Sequence, residues 1–415
     1  MELDDAFYRR ERARLLAALT RVFGTHNVAL AEDVVQETLT HAFEVWSYSG
    51  VPDHWSALLV TAAKNRAIDV IRRERTVRKF APMLEQAFQS EWTLRPKVEE
   101  LFLPEALRDD ELRMMFSTCH PQLAEDVQVA LMLNMSCGFG AEEIARAYLA
   151  STSAVEKRLS RGKKILAGSP RLFELTAADF EPRLAAVQRA LYVLFSEGYH
   201  GACDDAPIRE ELCREALRLA RLLIDHVQAA TPDAFALAAL MYLHAARLPG
   251  RRSEVGELLA LAEQDRSRWD ARLIAEGLAL LERASTGTEV SRFHIEATIA
   301  GLHAMAPSFE QTPWSKIVEL YDLYIQVAPS PVVALNRAMA IAETAGPEAG
   351  LCALAEIEHA ERLREYPFHA AARGELELRA GRHDLARAHL ETAVGLARNA
   401  TERHFLLRRL ATCSN

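Results

Sequence analysis

Asp33, Gln36 and Glu37 recur at i, i+3 and i+4 spacing, which places them on one face of a helix. Two carboxylates and an amide in that array suit docking on a basic helical partner through charge-assisted hydrogen bonds. A merely solvated face would carry the same residue types, so both readings stand at this point. Val34, Leu39 and Phe43 fall near the other side and are expected to pack inward.

A second group follows in LLVTAAKNRAIDVIRRER, where Lys64, Arg66, Arg72, Arg73 and Arg75 crowd one short stretch. Cations at that density track a phosphate backbone, and the nearby Tyr48, His54 and Trp55 offer surfaces for an unstacked base. Leu58, Ala62, Ile68 and Ile71 are expected to form the buried stripe of this helix. A basic amphipathic helix that binds nothing is the alternative. The third group, GAEEIARAYLASTSAVEKRLSRGKK (140–164), reads as helix, short turn, helix. Ser153 and Glu156 have the spacing of a capping box that would start the second helix. Ile144, Ala145, Val155 and Leu159 close a small core. Ser153, Lys157, Arg158, Arg161 and Lys164 then project outward, as a helix entering a DNA major groove requires.

In this order and spacing the three groups resemble the conserved regions of sigma-70-family factors of the small, extracytoplasmic-function type. AEDVVQETLTHAFEVW is similar to region 2.2, which in that family docks on the clamp helices of the RNA polymerase β′ subunit. The resemblance makes Asp33, Gln36 and Glu37 core-polymerase-binding candidates. LLVTAAKNRAIDVIRRER resembles regions 2.3–2.4, which implies −10 promoter contacts for Thr61, Ala62, Lys64, Asn65, Arg72 and Arg73. The Ser47–Asp53 loop would then hold a flipped base. Residues 121–166 resemble region 4, implying −35 contacts by Ser153, Lys157, Arg158, Arg161 and Lys164 and a second polymerase contact at the β flap. LYVLFSEGYH, EQDRSRWDARLIAEGLALLERA and APSPVVALNRAMAIAE are similar to the subgroup that ends in a tetratricopeptide-like extension. Such a factor initiates transcription on promoter DNA, is not an enzyme and needs no cofactor or metal.

Positioning these side chains requires helices, and period-3.6 apolar patterns with abundant Ala, Leu, Arg and Glu predict an all-α protein. Helices are expected over Asp5–Phe23 and Ala31–Trp46, then a loop Ser47–Pro52 and a long helix to about Arg78. The chain divides into a first helical unit (1–79), a linker (80–108) interrupted by Pro82, Pro96 and Pro104, a second unit with the helix-turn-helix (109–168), and a helical extension (169–415). Within the extension Gly374, Ala386, Leu390 and Ala393 have counterparts 36 residues earlier in Ala338, Gly350, Leu354 and Ile357. Small residues at helix crossings with such a period mark stacked, tetratricopeptide-like hairpins; generic antiparallel helices are the alternative. The concave face of such an array suits a regulatory protein or peptide. Glu263, Asp265, Arg266, Arg268, Trp269 and Asp270 read as an internal network at a helix end rather than a contact surface.

A chain of 415 residues is too long for one core. Its net charge of −9 looks wrong for a DNA-binding protein until it is divided. Residues 1–168 hold 22 basic and 24 acidic residues, and the rest hold 27 and 34. Lys64–Lys79 contains seven basic against two acidic residues, and Lys157–Lys164 five against none, which is the local potential that phosphates respond to. No apolar run approaches a membrane span and no secretory h-region follows the N-terminus, so a cytoplasmic protein is expected. The cysteines (Cys119, Cys137, Cys203, Cys213, Cys352, Cys413) form no Cys-x-x-Cys pair, and Cys119 beside His120 is not expected to bind metal. No phosphate loop, nucleophile elbow or His-Glu-x-x-His is present; His294 and His303 read as packing or surface residues. The remaining rival is a helix-turn-helix regulator with an effector- or protein-binding repeat domain. It would need neither the Asp33–Glu37 face nor the Lys64–Arg75 cluster.

Overall fold

A computed structural model describes residues 5–74, 91–147, 150–168, 175, 177–200 and 208–414. Arg75, the expected helix end near Arg78, Pro82 and the start of the linker, Tyr148, Leu149 and Cys203 lie outside the described residues. The described residues are helical and contain no strand, only an isolated bridge between Arg252 and Leu258, so the protein is all-α. None of these helices is long and apolar enough to cross a membrane. The chain forms two compact units: residues 1–194 with 225–229, and residues 195–224 with 230–415.

In the first unit the order is α1 (Asp5–Phe23), α2 (Val28–Ser49), α3 (Trp55–Glu74), α4 (Glu91–Leu101), α5 (Pro104–Thr118), α6 (Glu125–Leu131), α7 (Ala141–Ala147), α8 (Thr152–Ala167) and most of α9 (Ala177–His200). Helix α1 matches its expected bounds. Helix α2 is longer than expected at both ends and runs through Ser47–Ser49, so the connection to α3 is only Gly50–His54. The stretch read as an irregular linker is helical from Glu91: Pro96 lies within α4, and Pro104 opens α5. A first-turn proline costs nothing there, because that N–H has no intrahelical partner anyway.

Helix α1 is the shared wall of this unit. Leu15, Leu16, Ala18, Leu19, Val22 and Phe23 are all buried, between α2 and α3 on one side and α5 with the π-helical turn Met132–Ser136 on the other. Polar contacts fasten the same surfaces. The Arg12 guanidinium donates to the Asn134 carbonyl at 2.9 Å, and Asn134 donates in turn to the Phe139 carbonyl at 2.8 Å. Arg9 lies over the Phe139 ring at 4.9 Å. Gly138 makes this approach possible: it has φ 76, and a Cβ there would sit 2.4 Å from the Arg9 carbonyl oxygen.

The second unit contains α10 (Glu210–Ile224), α11 (Pro232–Ala245), α12 (Ala271–Ala284), α13 (Arg292–Met305), α14 (Trp314–Val327), α15 (Pro331–Ala345), α16 (Pro347–Ala355), α17 (Pro367–Arg379), α18 (His383–Gly395) and α19 (Ala400–Ala411). Neighbouring helices pack in succession, most extensively α11 on α12, α15 on α16 and α17 on α18. The eight small and apolar positions singled out in the sequence are buried where these helices cross. A Cβ on Gly374 would stand 2.7 Å from Leu390, and one on Gly350 2.6 Å from Ala342. In the Glu263–Asp270 cluster Trp269 is buried and Arg266 half-buried, while Glu263, Asp265, Arg268 and Asp270 are exposed. Arg266 donates to the carbonyls of His303 and Ala306 at 2.6 Å, Trp269 is buried between Arg247 and Arg266, and Asp270 caps α12.

Because both the positive φ and the contact with Arg9 exclude a side chain, Gly138→Ala is expected to destabilise the first unit by about 2–4 kcal/mol. Urea unfolding checks this, and an unchanged midpoint would show that the turn yields freely.

Candidate nucleic-acid interface

Asp33, Gln36 and Glu37 lie together on the exposed side of α2, while Val34, Val35, Thr38 and Leu39 fill its inner side. Phe43 is half-buried, against Tyr8 at 5.6 Å and Trp46 at 6.0 Å between ring centroids. Glu37 is not idle. Arg66 of α3 grips it with two nitrogens, Nε donating to Oε2 at 2.8 Å and Nη2 to Oε1 at 2.6 Å. An exposed pair of this kind contributes under about 1 kcal/mol, so a partner can claim Glu37 at little cost.

On α3 the structure corrects the expected stripe. The buried residues are Leu59, Ala63, Ala67, Ile68 and Ile71, whereas Leu58 is 49% exposed and Ala62 is exposed. In the run LLVTAA several helical registers are equally apolar; the i, i+4 ladder from Leu59 wins because α3 must meet α1 and α2 there. The turn of register puts Leu58, Thr61, Ala62, Asn65, Arg72 and Arg73 on one outward arc. Leu58 is the residue the sequence reading missed: an apolar side chain held out beside Thr61 and Asn65. Lys64 is half-buried and reaches Glu99 of α4 at 3.6 Å, and Arg72 is 3.6 Å from Asp69. Trp55 packs edge-on against Phe7 at 4.1 Å between ring centroids, so it belongs to the packing. Tyr48, 94% exposed, is the free aromatic at that end.

Helix α8 begins two residues earlier than the capping-box spacing suggested. Ser151, not Ser153, is the cap, its hydroxyl accepting from the Ala154 N–H at 3.3 Å. A serine two residues earlier offers the same chemistry, and the extended backbone at Ser151 decides between them. Ile144, Ala145, Val155 and Leu159 are buried as expected. Ser153, Lys157, Arg161 and Lys164 are exposed along one face, and these cations have no acidic partner among the described residues. Arg158 differs: it is half-buried and pairs with Asp126 of α6 at 3.1 Å. Lys163 turns away to Glu32 of α2 at 2.6 Å.

Cys119 is fully buried, and burial pushes its thiol up to about 12, so it is neutral. Among the described residues no group of three His, Cys, Asp or Glu side chains gathers to hold a metal.

Comparison with known proteins now adds to the geometry. Residues 7–77, covering α1 to α3, match the family model described as Sigma-70 region 2. Residues 183–285 match one described as Family of unknown function (DUF6596). An uncharacterized protein of Rhizobium meliloti (strain 1021) is 35% identical over 398 residues, 95% of this chain and 92% of that one. The chain belongs to that protein's family. No solved structure matches it. The outward faces of α2 and α3 therefore sit on a sigma-70 region 2, which supports a sigma-70 family factor; that family initiates transcription and is not a family of enzymes.

Between α1 and α5 lies a buried ion pair. Asp110 is completely enclosed and accepts from Arg21 at 2.7 Å. Burial, only partly offset by Arg21, raises its pKa from 3.8 to about 7. The folded protein therefore holds a proton that the unfolded chain releases between about pH 4 and 7, and this group's contribution to stability falls as pH rises through that window. Compared with Asp110→Asn, the native protein is expected to lose about 3 kcal/mol of unfolding free energy between pH 4.5 and 7.5, at 1.36 kcal/mol per unit. Urea titrations at the two pH values measure it; parallel pH dependence in the two proteins would mean that Asp110 titrates normally.

Proposed function

We propose that the chain is a cytoplasmic sigma factor of the extracytoplasmic-function type that docks on core RNA polymerase, selects promoters through their −10 and −35 elements and carries a regulatory tetratricopeptide-like extension. The carrying observation is that the sigma-70 region 2 match coincides with the helices whose outward faces are acidic on α2 and polar-basic on α3. In this reading region 2 occupies residues 1–79, a linker 80–108, region 4 residues 109–168 and the extension 169–415. Asp33, Gln36 and Glu37 meet the β′ clamp helices. Thr61, Ala62, Asn65, Arg72 and Arg73, with Leu58 beside them and Lys64 at the edge, meet the melted −10 strand; cations hold its phosphates while the small and apolar groups face a base. The pair α7–α8 is a helix-turn-helix near the β flap. Its second helix enters the major groove of the −35 element with Ser153, Lys157, Arg161 and Lys164, and Arg158 at its side.

A second reading, an effector-binding helix-turn-helix regulator, would account for α7 and α8 but leaves the region 2 match without a purpose.

In run-off transcription with purified core polymerase, the full chain is expected to confer start-site selection. Asp33→Ala with Glu37→Ala should weaken core binding by roughly tenfold or more, two charge-assisted contacts being lost, with helicity unchanged. Unaltered core affinity would remove that face from the interface. Lys157→Ala with Arg161→Ala should leave core binding intact, weaken promoter-duplex binding, and reduce the slope of log K against log salt by about 2. A slope identical to the native one would mean that α8 does not touch phosphates.

A further inference from the structure

The second unit holds a half-open cavity of about 900 Å³ that none of the transcription chemistry uses. Its walls come from distant parts of the sequence, from Tyr199 to Arg409. One region is apolar and aromatic, with Leu335, Met339, Tyr366, Phe368 and Phe405. The acidic residues along the walls are mostly neutralised: Glu343 by Arg379, Glu375 by Arg409, Glu402 by Arg398 and Glu263 by Arg408. Glu310 stands exposed and bonded to Ser308.

Arg251 is the exception. Its guanidinium lies 3.9 Å over the Tyr199 ring and donates to the Tyr199 carbonyl, yet no carboxylate reaches it among the described residues. Burial, with Arg247 and Arg252 nearby, lowers its pKa, as expected for an uncompensated cation. His200 opens onto the same end of the cavity. Its ring is exposed, and Arg251, Arg247 and Arg398 give this end of the cavity a positive field. Two more donors belong to residues that line the cavity. Tyr199 is 4% exposed and Asn399 6% exposed, and neither the Tyr199 hydroxyl nor the Asn399 Nδ2 has a hydrogen-bond partner among the described residues. The Asn399 Oδ1 already accepts from the Glu402 N–H at 2.8 Å, which fixes the amide so that its NH₂ is the unsatisfied end. Buried donors without a partner are costly unless an acceptor arrives.

We propose that this cavity is a binding site for a small organic anion, its carboxylate or phosphate held by Arg251, Tyr199 and Asn399 and its apolar body lying against Met339, Tyr366 and Phe368. A volume of about 900 Å³ lies in the range of small-molecule sites, which favours a ligand that fits whole. The site stands independently of the transcription reading and would give the extension a metabolite-sized input.

The test uses the full-length protein and two fluorescent probes of nearly equal shape, anionic 8-anilino-1-naphthalenesulfonate and uncharged N-phenyl-1-naphthylamine. The sulfonate is expected to bind one saturable site, roughly tenfold more tightly than the neutral probe. Arg251→Gln should weaken the sulfonate by roughly tenfold and leave the neutral probe unchanged, while Arg251→Lys retains most of the affinity. Tyr199→Phe, which keeps the ring under Arg251, should weaken the sulfonate by about threefold, and Met339→Trp should weaken both probes. Equal affinity for the two probes in the native protein, or sulfonate binding unaltered by both Arg251→Gln and Tyr199→Phe in variants of native circular dichroism, would overturn the proposal.

Discussion

The contact between α1 and α5 governs the first unit. A helix with one buried stripe can leave its neighbours without unfolding; α1 is buried on two sides, so α2 and α3 share their wall with α5 and the Met132–Ser136 turn. Arg21 and Asp110 make that shared wall specific. A buried ion pair adds little net stability over an apolar pair, but losing one partner leaves the other uncompensated. The contact therefore tolerates few alternative alignments of α5, and that fixes how the segment leading to α7 and α8 meets α2. Lys163 with Glu32 is a consequence, a surface pair whose geometry was set elsewhere.

The same packing explains the charge pattern. Of the five basic residues between Lys157 and Lys164, Arg158 and Lys163 are tied to acidic groups within the unit, and Lys157, Arg161 and Lys164 form the open face. On the first three helices Arg66 is spent on Glu37 and Lys64 leans on Glu99, while Arg73 stays exposed. A protein of net charge −9 thus presents cations only where folding has not already used them.

Local rules carried the sequence reading a long way. The extent of α1, the burial of Val34 and Leu39, the inward side of α8 and the small residues at the later helix crossings all follow from periodicity and residue size. The failures have separate causes, and the first needed neighbours distant in sequence. Leu58 and Leu59 are indistinguishable until α1 and α2 choose a face. Ser151 and Ser153 offer the same cap until the backbone is placed. The start of α5 hid behind Pro104, because helix-breaking statistics do not separate a proline in a first turn from one that stops a helix, and Pro96 lies inside α4 against its usual effect. The cavity had no signature at all, since Tyr199, Arg251, Met339 and Asn399 share no spacing, and only the succession of packed helices brings them together.

One detail of the second unit changes how such a succession behaves. Helix α19 does not end the row freely. His404 and Arg408 bind Glu257 at 2.9 and 3.0 Å, and Arg408 binds Glu263 at 3.0 Å, in the segment that follows α11. Each pair is weak alone, yet together they tie α19 back to the segment between α11 and α12. An open row of hairpins frays from its terminal member, which has a neighbour on only one side. A row clasped in this way has no such starting point, so thermal opening must engage several hairpins together, and the second unit melts as one cooperative body.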